Sequence, residues 1–148
     1  MNVNSKTLQY ILVTIQFAGI FYFAVSGTLY PQNFLVLILA LVSVVVGLWA
    51  ILAMKLHTLS VLPSVKHGGQ LCTSGPYRIL RHPMYTSVLL LLFALLLNKY
   101  DTFRLVVFII VIIDLILKMN VEEKILLAHY SDYKSYMINS KRIIPFLY

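Results

Sequence analysis

Charged residues are scarce in this sequence, and their scarcity limits the fold class more than any other feature. Only 11% of the 148 residues are charged, against roughly 25% in soluble domains, while 60% are hydrophobic and the mean hydropathy is +0.87. This composition excludes a disordered chain and argues against an ordinary soluble domain. No charged residue occurs between Lys6 and Lys55, a stretch long enough for two membrane-spanning helices of about 20 residues.

Cysteine is also nearly absent. The single cysteine, Cys72, excludes an internal disulfide, and the sequence has no Cys or Cys/His cluster with the spacing of a structural zinc site. We therefore predict no metal site. The net charge of +7 is compatible with nucleic-acid binding, but in a chain this apolar the basic residues are better interpreted as marking cytoplasmic loops. We predict no nucleic-acid partner.

The apolar runs predict an all-α, polytopic membrane helix bundle with about four transmembrane helices. The first two spans are expected roughly over Leu8–Leu29 and Phe34–Met54, as an antiparallel hairpin with a short turn. The next two apolar runs, Pro83–Leu97 and Leu105–Leu117, are short, so we expect their helices to extend into the headgroup region. The pattern over Val121–Tyr136 predicts a C-terminal amphipathic, interfacial helix.

We predict one integral membrane domain over residues 1–148, with residues 1–54 as an N-terminal helical hairpin scaffold and residues 55–148 as the catalytic half. The first apolar run is too long for a signal peptide and is expected to be retained. With four spans, every Lys and Arg except Lys99 and Arg104 lies on one side of the membrane. The positive-inside rule then places both termini and the long loop in the cytoplasm.

The first candidate site is the basic segment at residues 75–85. Pro83 suits the first turn of a helix, which places His82 at or near its N-cap. Unpaired backbone N–H groups and the helix dipole make such a position suitable for a carboxylate, and Arg78 and Arg81 add donors. The alternative interpretation is a basic interfacial collar that anchors the helix.

The second candidate is Asp114, an ionisable group within an apolar run. Such a residue is expected to face the bundle interior with a partner. Asp114, Lys118 and Glu122 are spaced four residues apart, on one helical stripe. The alternative is an internal ion pair that only offsets its own burial.

The third candidate is the pair Glu122 and Glu123. Adjacent helical side chains point about 100° apart, so at most one of the two is expected to face a given pocket. The alternative is that both are solvated. The three tyrosines Tyr130, Tyr133 and Tyr136 recur every third residue, a spacing that favours interfacial packing over catalysis.

These motifs together resemble a known group of enzymes. They are Thr73-Ser74-Gly75-Pro76-Tyr77-Arg78, Arg81-His82-Pro83-Met84-Tyr85, Glu122-Glu123 with Leu126, Tyr133 and Tyr136, and Arg142-Ile143-Ile144-Pro145-Phe146. In this order they resemble the isoprenylcysteine carboxyl methyltransferase family, which takes in small bacterial membrane methyltransferases and, more distantly, phospholipid methyltransferases. The resemblance covers residues from about Gly69 to Tyr148, whereas the first two spans match only in hydropathy.

The resemblance implies that S-adenosylmethionine binds in a cytosol-facing pocket roofed by the C-terminal segment. It places the adenosine near residues 69–72 and Tyr77, the methionine end near residues 82–85, and a polar group of the cofactor at Glu122 or Glu123. The predicted cofactor-binding residues are Gly69, Gln70, Leu71, Cys72, Tyr77, Arg81, His82, Pro83, Met84, Tyr85, Glu122 and Glu123. The predicted catalytic residues are Asp114, Glu122 and Glu123.

The implied chemistry is in-line displacement at the sulfonium methyl, for which the protein mainly positions the reactants and excludes water. A carboxylate or thiolate acceptor needs no general base, whereas an amine must first lose a proton. Only Asp114 or a glutamate offers a base, which favours a lipophilic acceptor that is already anionic. We expect it to arrive from the bilayer between the third and fourth spans. The alternatives are an NADPH-dependent protein similar to sterol reductases and a non-catalytic scaffold that binds anionic lipid.

Overall fold

The computed structural model of the chain describes residues 6–54, 71–145 and 147–148. These residues form five α-helices and a 3₁₀ turn at Gly75–Arg78, and the only β-type pairing among them is an isolated bridge between Leu80 and Lys141. The all-α class predicted from the sequence is therefore confirmed. The helices are α1 (Lys6–Ser26), α2 (Phe34–Met54), α3 (Pro83–Asn98), α4 (Thr102–His129) and α5 (Tyr133–Asn139).

Two helices of the described chain are long and apolar enough to cross a membrane. They are α1 and α2, with 21 residues each, and α3 is a shorter apolar helix of 16 residues. Helix α4 has 28 residues but carries Arg104, Asp114 and Lys118 within its length. Helix α4 continues from its apolar stretch to His129, whereas α3 ends at Asn98, one residue after its apolar run; that these ends reach the headgroup region stays a prediction. Membrane crossings by α3 and α4 remain predictions.

The two N-terminal helices pack mainly on C-terminal helices rather than on each other. Helix α2 lies along α3, and α1 lies along α4. At the α2–α3 contact, a Cβ on Gly47 would lie 2.6 Å from the Ser87 Oγ, which donates a hydrogen bond of 2.8 Å to the Ser43 carbonyl. The core that joins α1, α3 and α4 is apolar and consists of Phe23, Leu92, Leu96, Val111 and Leu115.

The turns at one end of the bundle are held by side chains that bond to main-chain groups. The Asn98 amide donates to the Thr28 carbonyl at 2.9 Å and to the Tyr30 carbonyl at 2.8 Å. Asp101 is the N-cap of α4 and accepts from the Arg104 N–H at 3.3 Å. We call this region, formed by the turns before α2 and α4, the turn end.

The opposite end is built from the start of α3, the last turns of α4 and the C-terminal segment. The helix predicted over Val121–Tyr136 is divided there, because α4 ends at His129 and α5 begins at Tyr133, whose side chain is buried. Residues 141–143 then run across the start of α3. The Arg81 N–H donates to the Lys141 carbonyl at 2.6 Å, and the His82 N–H donates to the Arg142 carbonyl at 3.0 Å.

Candidate functional site

His82 is buried at the point where these three segments meet. It is the N-cap residue of α3, as predicted. Pro83 occupies the first helical position, where its missing N–H costs no hydrogen bond and where it keeps the preceding residue out of the helix. Its ring stacks on the Tyr85 ring, with the ring centroids 5.4 Å apart. The imidazole lies between the two adjacent glutamates, with Nδ1 3.5 Å from a Glu122 oxygen and Nε2 3.4 Å from a Glu123 oxygen.

Glu123 joins the three segments through its buried carboxylate. One oxygen accepts from the Arg81 Nε at 2.9 Å, and the other accepts from the Arg142 Nη2 at 2.6 Å. The Arg81 guanidinium also donates to the main-chain carbonyls of Met137 and Ser140. Because its bonds run to α3's leading segment, to the C-terminal segment and to His82, Glu123 holds the C-terminal segment over the start of α3.

Glu122 has a different environment from its neighbour. Its Oε2 atom accepts a hydrogen bond of 3.0 Å from the Tyr85 hydroxyl, and its side chain is 29% exposed. Among the described residues, no donor bonds to its other oxygen. Glu123 is therefore used in holding segments together, whereas one oxygen of Glu122 has no donor among the described residues; both carboxylates nevertheless lie against the same His82 ring.

The charges of this cluster stabilise one another. Burial alone would raise the pKa of Glu123, but bonds to His82, Arg142 and Arg81 outweigh it and lower that pKa from 4.5 to about 2. Burial alone would lower the pKa of His82, but hydrogen bonds to both glutamates and their negative charge raise it overall. Burial alone would raise the pKa of Glu122, but its hydrogen bonds with His82 and Tyr85 outweigh burial and lower that pKa overall. Both carboxylates are therefore anionic at neutral pH.

The predicted adenosine-end residues lie beside the C-terminal end of α2. The Cys72 thiol donates to the Ala53 carbonyl at 3.4 Å, and the buried Tyr77 donates to the Met54 sulfur at 3.8 Å. Tyr77 is also close enough to Glu122 for that carboxylate to contribute to raising the Tyr77 pKa, after burial and Cys72. Leu71 is half-buried in the same segment. Gly69 and Gln70 lie outside the described residues.

Gly75 fixes the path of this segment. Its φ of +59° is in the left-handed region that favours glycine. A Cβ there would lie 3.0 Å from the Ala53 Cβ and 3.1 Å from the Trp49 indole nitrogen, so the 3₁₀ turn lies against α2. This contact places Tyr77 next to α5, where the hydroxyl of Tyr136 donates a hydrogen bond of 2.6 Å to the Tyr77 carbonyl.

The first turn of α3 contains one further donor. The Tyr85 and Thr86 N–H groups both donate to the His82 carbonyl, at 3.0 and 3.1 Å, and Pro83 has no N–H. Within the described chain, the Met84 amide is therefore the donor of this turn that bonds to no carbonyl. The half-buried Met84 is therefore the residue to which the anion-binding capacity predicted for this helix start would fall.

Asp114 lies deeper in the bundle, and its environment corrects one sequence interpretation. It is 3% exposed, and neither carboxylate oxygen has a hydrogen-bond partner among the described residues. Asp114 and Lys118 form no salt bridge, because the Lys118 ammonium donates to the Gln16 side chain of α1 and lies 5.3 Å from the Tyr85 ring centroid; the two charges still attract each other across one helical turn. The four-residue spacing allows the pair, but α1 and α3 decide the direction of the lysine.

Sequence reasoning missed the roles of two residues. Arg142 was recognised only as part of a terminal motif, although two carboxylates near an apolar bundle need cationic partners. Its guanidinium also donates to the Tyr148 hydroxyl at 2.7 Å. Gln16 was not singled out, although a buried glutamine on an apolar helix is a signal that something polar faces it.

Comparison with known proteins agrees with the resemblance seen in the motifs. A family model described as phospholipid methyltransferase matches residues 31–133, more than half of the chain, and no curated protein matches it. The match contains His82, Glu122 and Glu123, and it extends the similarity into α2, which the motifs had not reached. The chain belongs to the phospholipid methyltransferase family.

Proposed function

We propose that this chain is an S-adenosylmethionine-dependent integral membrane methyltransferase that methylates a lipophilic acceptor at the cytosolic membrane face. Membership of a methyltransferase family supports the reaction class. The observation that carries the cofactor assignment is the state of Glu122. This carboxylate is anionic, partly exposed, held by Tyr85 and His82, and has an oxygen without a donor among the described residues.

The residues around Glu122 fit the chemistry of the cofactor at both polar ends. Its free oxygen would accept from the cofactor's amino group or ribose hydroxyls, as a charge-assisted hydrogen bond in the first case. The Met84 N–H, at the positive end of the α3 dipole, would take the methionine carboxylate. Tyr77, Cys72 and Leu71 would contact the adenosine end. We propose Glu122 as the cofactor ligand and Glu123 as the residue that positions it.

S-adenosylmethionine supplies a methyl group already activated by the sulfonium, so the chain's own residues mainly bind, orient and exclude water. The C-terminal segment, held by Glu123 and Arg142, covers the start of α3 and would shield the bound cofactor. We propose that an isoprenylcysteine-like carboxylate, a thiol or another lipid enters laterally between α3 and α4. The shortness of α3 and the polarity of α4 at Asp114 support this route.

The cytosolic assignment rests on four membrane crossings, with α3 and α4 as the third and fourth. Both termini and the segment before α3 then lie on the side richer in Lys and Arg. The cluster around Glu123 belongs to that side, because it is formed by the start of α3, the continuation of α4 and the C-terminal segment. A cytosolic site also matches the location of S-adenosylmethionine in cells.

Calorimetry of the detergent-purified protein with S-adenosylhomocysteine tests the proposal. We expect saturable binding, weakened roughly 10- to 100-fold by Glu122→Gln, since a hydrogen bond to a charged group contributes about 1.5–3 kcal/mol. Asp101→Asn is the matched control, because it removes the same charge at the turn end while asparagine still caps a helix. It should bind like the wild type. Absence of binding to the wild-type protein at millimolar ligand would overturn the proposal.

A further inference from the structure

Asp114 has the least satisfied charged side chain of the described residues. Its carboxylate is buried, and within the part of the chain that the structure describes both of its oxygens lack a hydrogen-bond partner. Burying a charge without a partner is so costly that ordinary structural carboxylates are paired. The nearest cation along the helix, Lys118, is directed to Gln16 instead. No hydrogen bond or salt bridge from a described residue therefore explains the burial of Asp114, and the attraction of Lys118 one turn away is its one charge interaction among them.

Its position connects it to the proposed cofactor site. Asp114 lies eight residues before Glu122 on the same stripe of α4, or about 12 Å deeper along the helix axis. Tyr85 lies between the two levels: its hydroxyl bonds to Glu122, and its ring faces the Lys118 ammonium one turn from Asp114. Asp114 thus lies on the bilayer side of the cofactor ligand, where an acceptor that enters between α3 and α4 would present its reacting atom.

Resting on the proposed function, we infer that Asp114 is the proton acceptor of the methyl transfer, and that the acceptor atom carries a proton before reaction, as a thiol or an amine does. A thiol gives its proton to the Asp114 carboxylate, and the sulfur lone pair then forms the bond to the methyl carbon. An ammonium likewise gives a proton to the Asp114 carboxylate, and the nitrogen lone pair then forms the bond to the methyl carbon. The methyl–sulfonium bond breaks, its electron pair stays on the sulfonium sulfur, and S-adenosylhomocysteine is the second product.

This assignment reverses the preference for an already anionic acceptor that the sequence suggested. That preference rested on finding no base in the sequence other than Asp114 or a glutamate, and it kept a carboxylate among the proposed acceptors. A carboxylate acceptor would instead approach an unpaired buried carboxylate of the same charge, which is unfavourable. A protonated acceptor supplies the hydrogen bond that the Asp114 oxygens lack.

The test uses three acceptors with the same prenyl tail: a thiol, an amine, and a carboxylate whose other polar groups are blocked. Methyl transfer from labelled S-adenosylmethionine is measured for the full-length wild type, Asp114→Asn and the matched control Asp101→Asn. We expect wild-type transfer to the thiol or the amine, reduced at least about 100-fold in Asp114→Asn, since a positioned base contributes 10²–10⁴-fold. Asp101→Asn should retain the wild-type rate.

Two further readouts separate chemistry from folding. Asp114→Asn should bind S-adenosylhomocysteine like the wild type and unfold at the same or a higher temperature, because it removes an unpaired buried charge. The inference is overturned if Asp114→Asn retains its rate with thiol and amine, or if the wild type methylates only the carboxylate or none of the three. Loss of cofactor binding in Asp114→Asn would also overturn the inference, because it would show that Asp114 has a structural role and not a catalytic one. Failure of the wild type to bind cofactor would instead defeat the proposed function itself.

Discussion

Helix α4 carries a buried charge near each end, and the two charges are satisfied in different ways. At the turn end, the Arg104 guanidinium donates to the Leu95 carbonyl at 2.8 Å and to the Ser26 hydroxyl at 3.3 Å, with its central carbon 4.6 Å from the Phe23 ring centroid. At the other end, Glu123 accepts from the side chains of Arg81 and Arg142. Neutral partners surround the first charge, and opposite charges surround the second.

This difference separates a structural polar group from a site. The hydrogen-bond partners of Arg104 and Asn98 include main-chain carbonyls of neighbouring helix ends and turns, so these side chains tie the segments of the turn end together, although the buried Arg104 Nε has no hydrogen-bond partner among the described residues. The Glu123 cluster gathers charged groups from three segments and leaves Glu122 beside it partly exposed. A network of side-chain charges that fixes one carboxylate and leaves its neighbour partly exposed is the arrangement on which the proposed role of Glu122 rests.

The largest effect is expected when Glu123 is replaced by Gln. This change leaves Arg81, His82 and Arg142 without their anion, and breaking a buried ion pair costs about 3–5 kcal/mol. The unfolding temperature measured in detergent should fall by roughly 10 °C for a chain of this size. Because the C-terminal segment loses its attachment, affinity for S-adenosylhomocysteine should fall as well. An unchanged unfolding temperature would contradict the role given to Glu123.

Acid should weaken the same end of the bundle by a comparable amount. The pKa of Glu123 falls from 4.5 to about 2 on folding, so its stabilisation is complete above pH 4.5 and is lost as the pH falls towards 2. That difference corresponds to about 3 kcal/mol. His82, whose pKa is raised, is protonated in both states over this range and adds nothing to the slope.

Glu122, whose pKa is also lowered, adds to the acid effect in the same direction. Urea unfolding between pH 5 and pH 2 would measure the loss. Glu123→Gln serves as the control, and its stability should depend less on pH over this interval. Equal slopes in the two proteins would show that other carboxylates cause the acid effect.

The smallest effect is expected at the turn end, from Asp101→Ala. The Asp101 carboxylate accepts from the N–H groups of Phe103 and Arg104, and the loss of such an N-cap costs about 1 kcal/mol. The unfolding temperature should fall by a few degrees. Binding of S-adenosylhomocysteine should not change, because the two ends of α4 have separate networks. A loss of affinity for S-adenosylhomocysteine in Asp101→Ala would show that the two ends of α4 are not independent of each other.

Much of the fold follows from local sequence. The charge-free stretch between Lys6 and Lys55 predicts α1 and α2, and Pro83 sets the start of α3, because these signals act over a few residues. The division of the predicted Val121–Tyr136 helix does not follow, since the amphipathic pattern runs across the residues where the chain turns. Tyr133 is buried by tertiary contacts that the pattern does not contain.

The candidate site shows the same division between local and distant information. By itself, the sequence determined the helical class, the His82-Pro83 helix start and the adjacency of two glutamates on one helix. Only the tertiary structure decided that Glu123 is held by Arg81 and Arg142, that one Glu122 oxygen has no donor among residues 6–54, 71–145 and 147–148, and that Lys118 donates to Gln16 rather than to Asp114. Helical spacing limits which groups can meet, but long flexible side chains bond wherever the other helices place a partner.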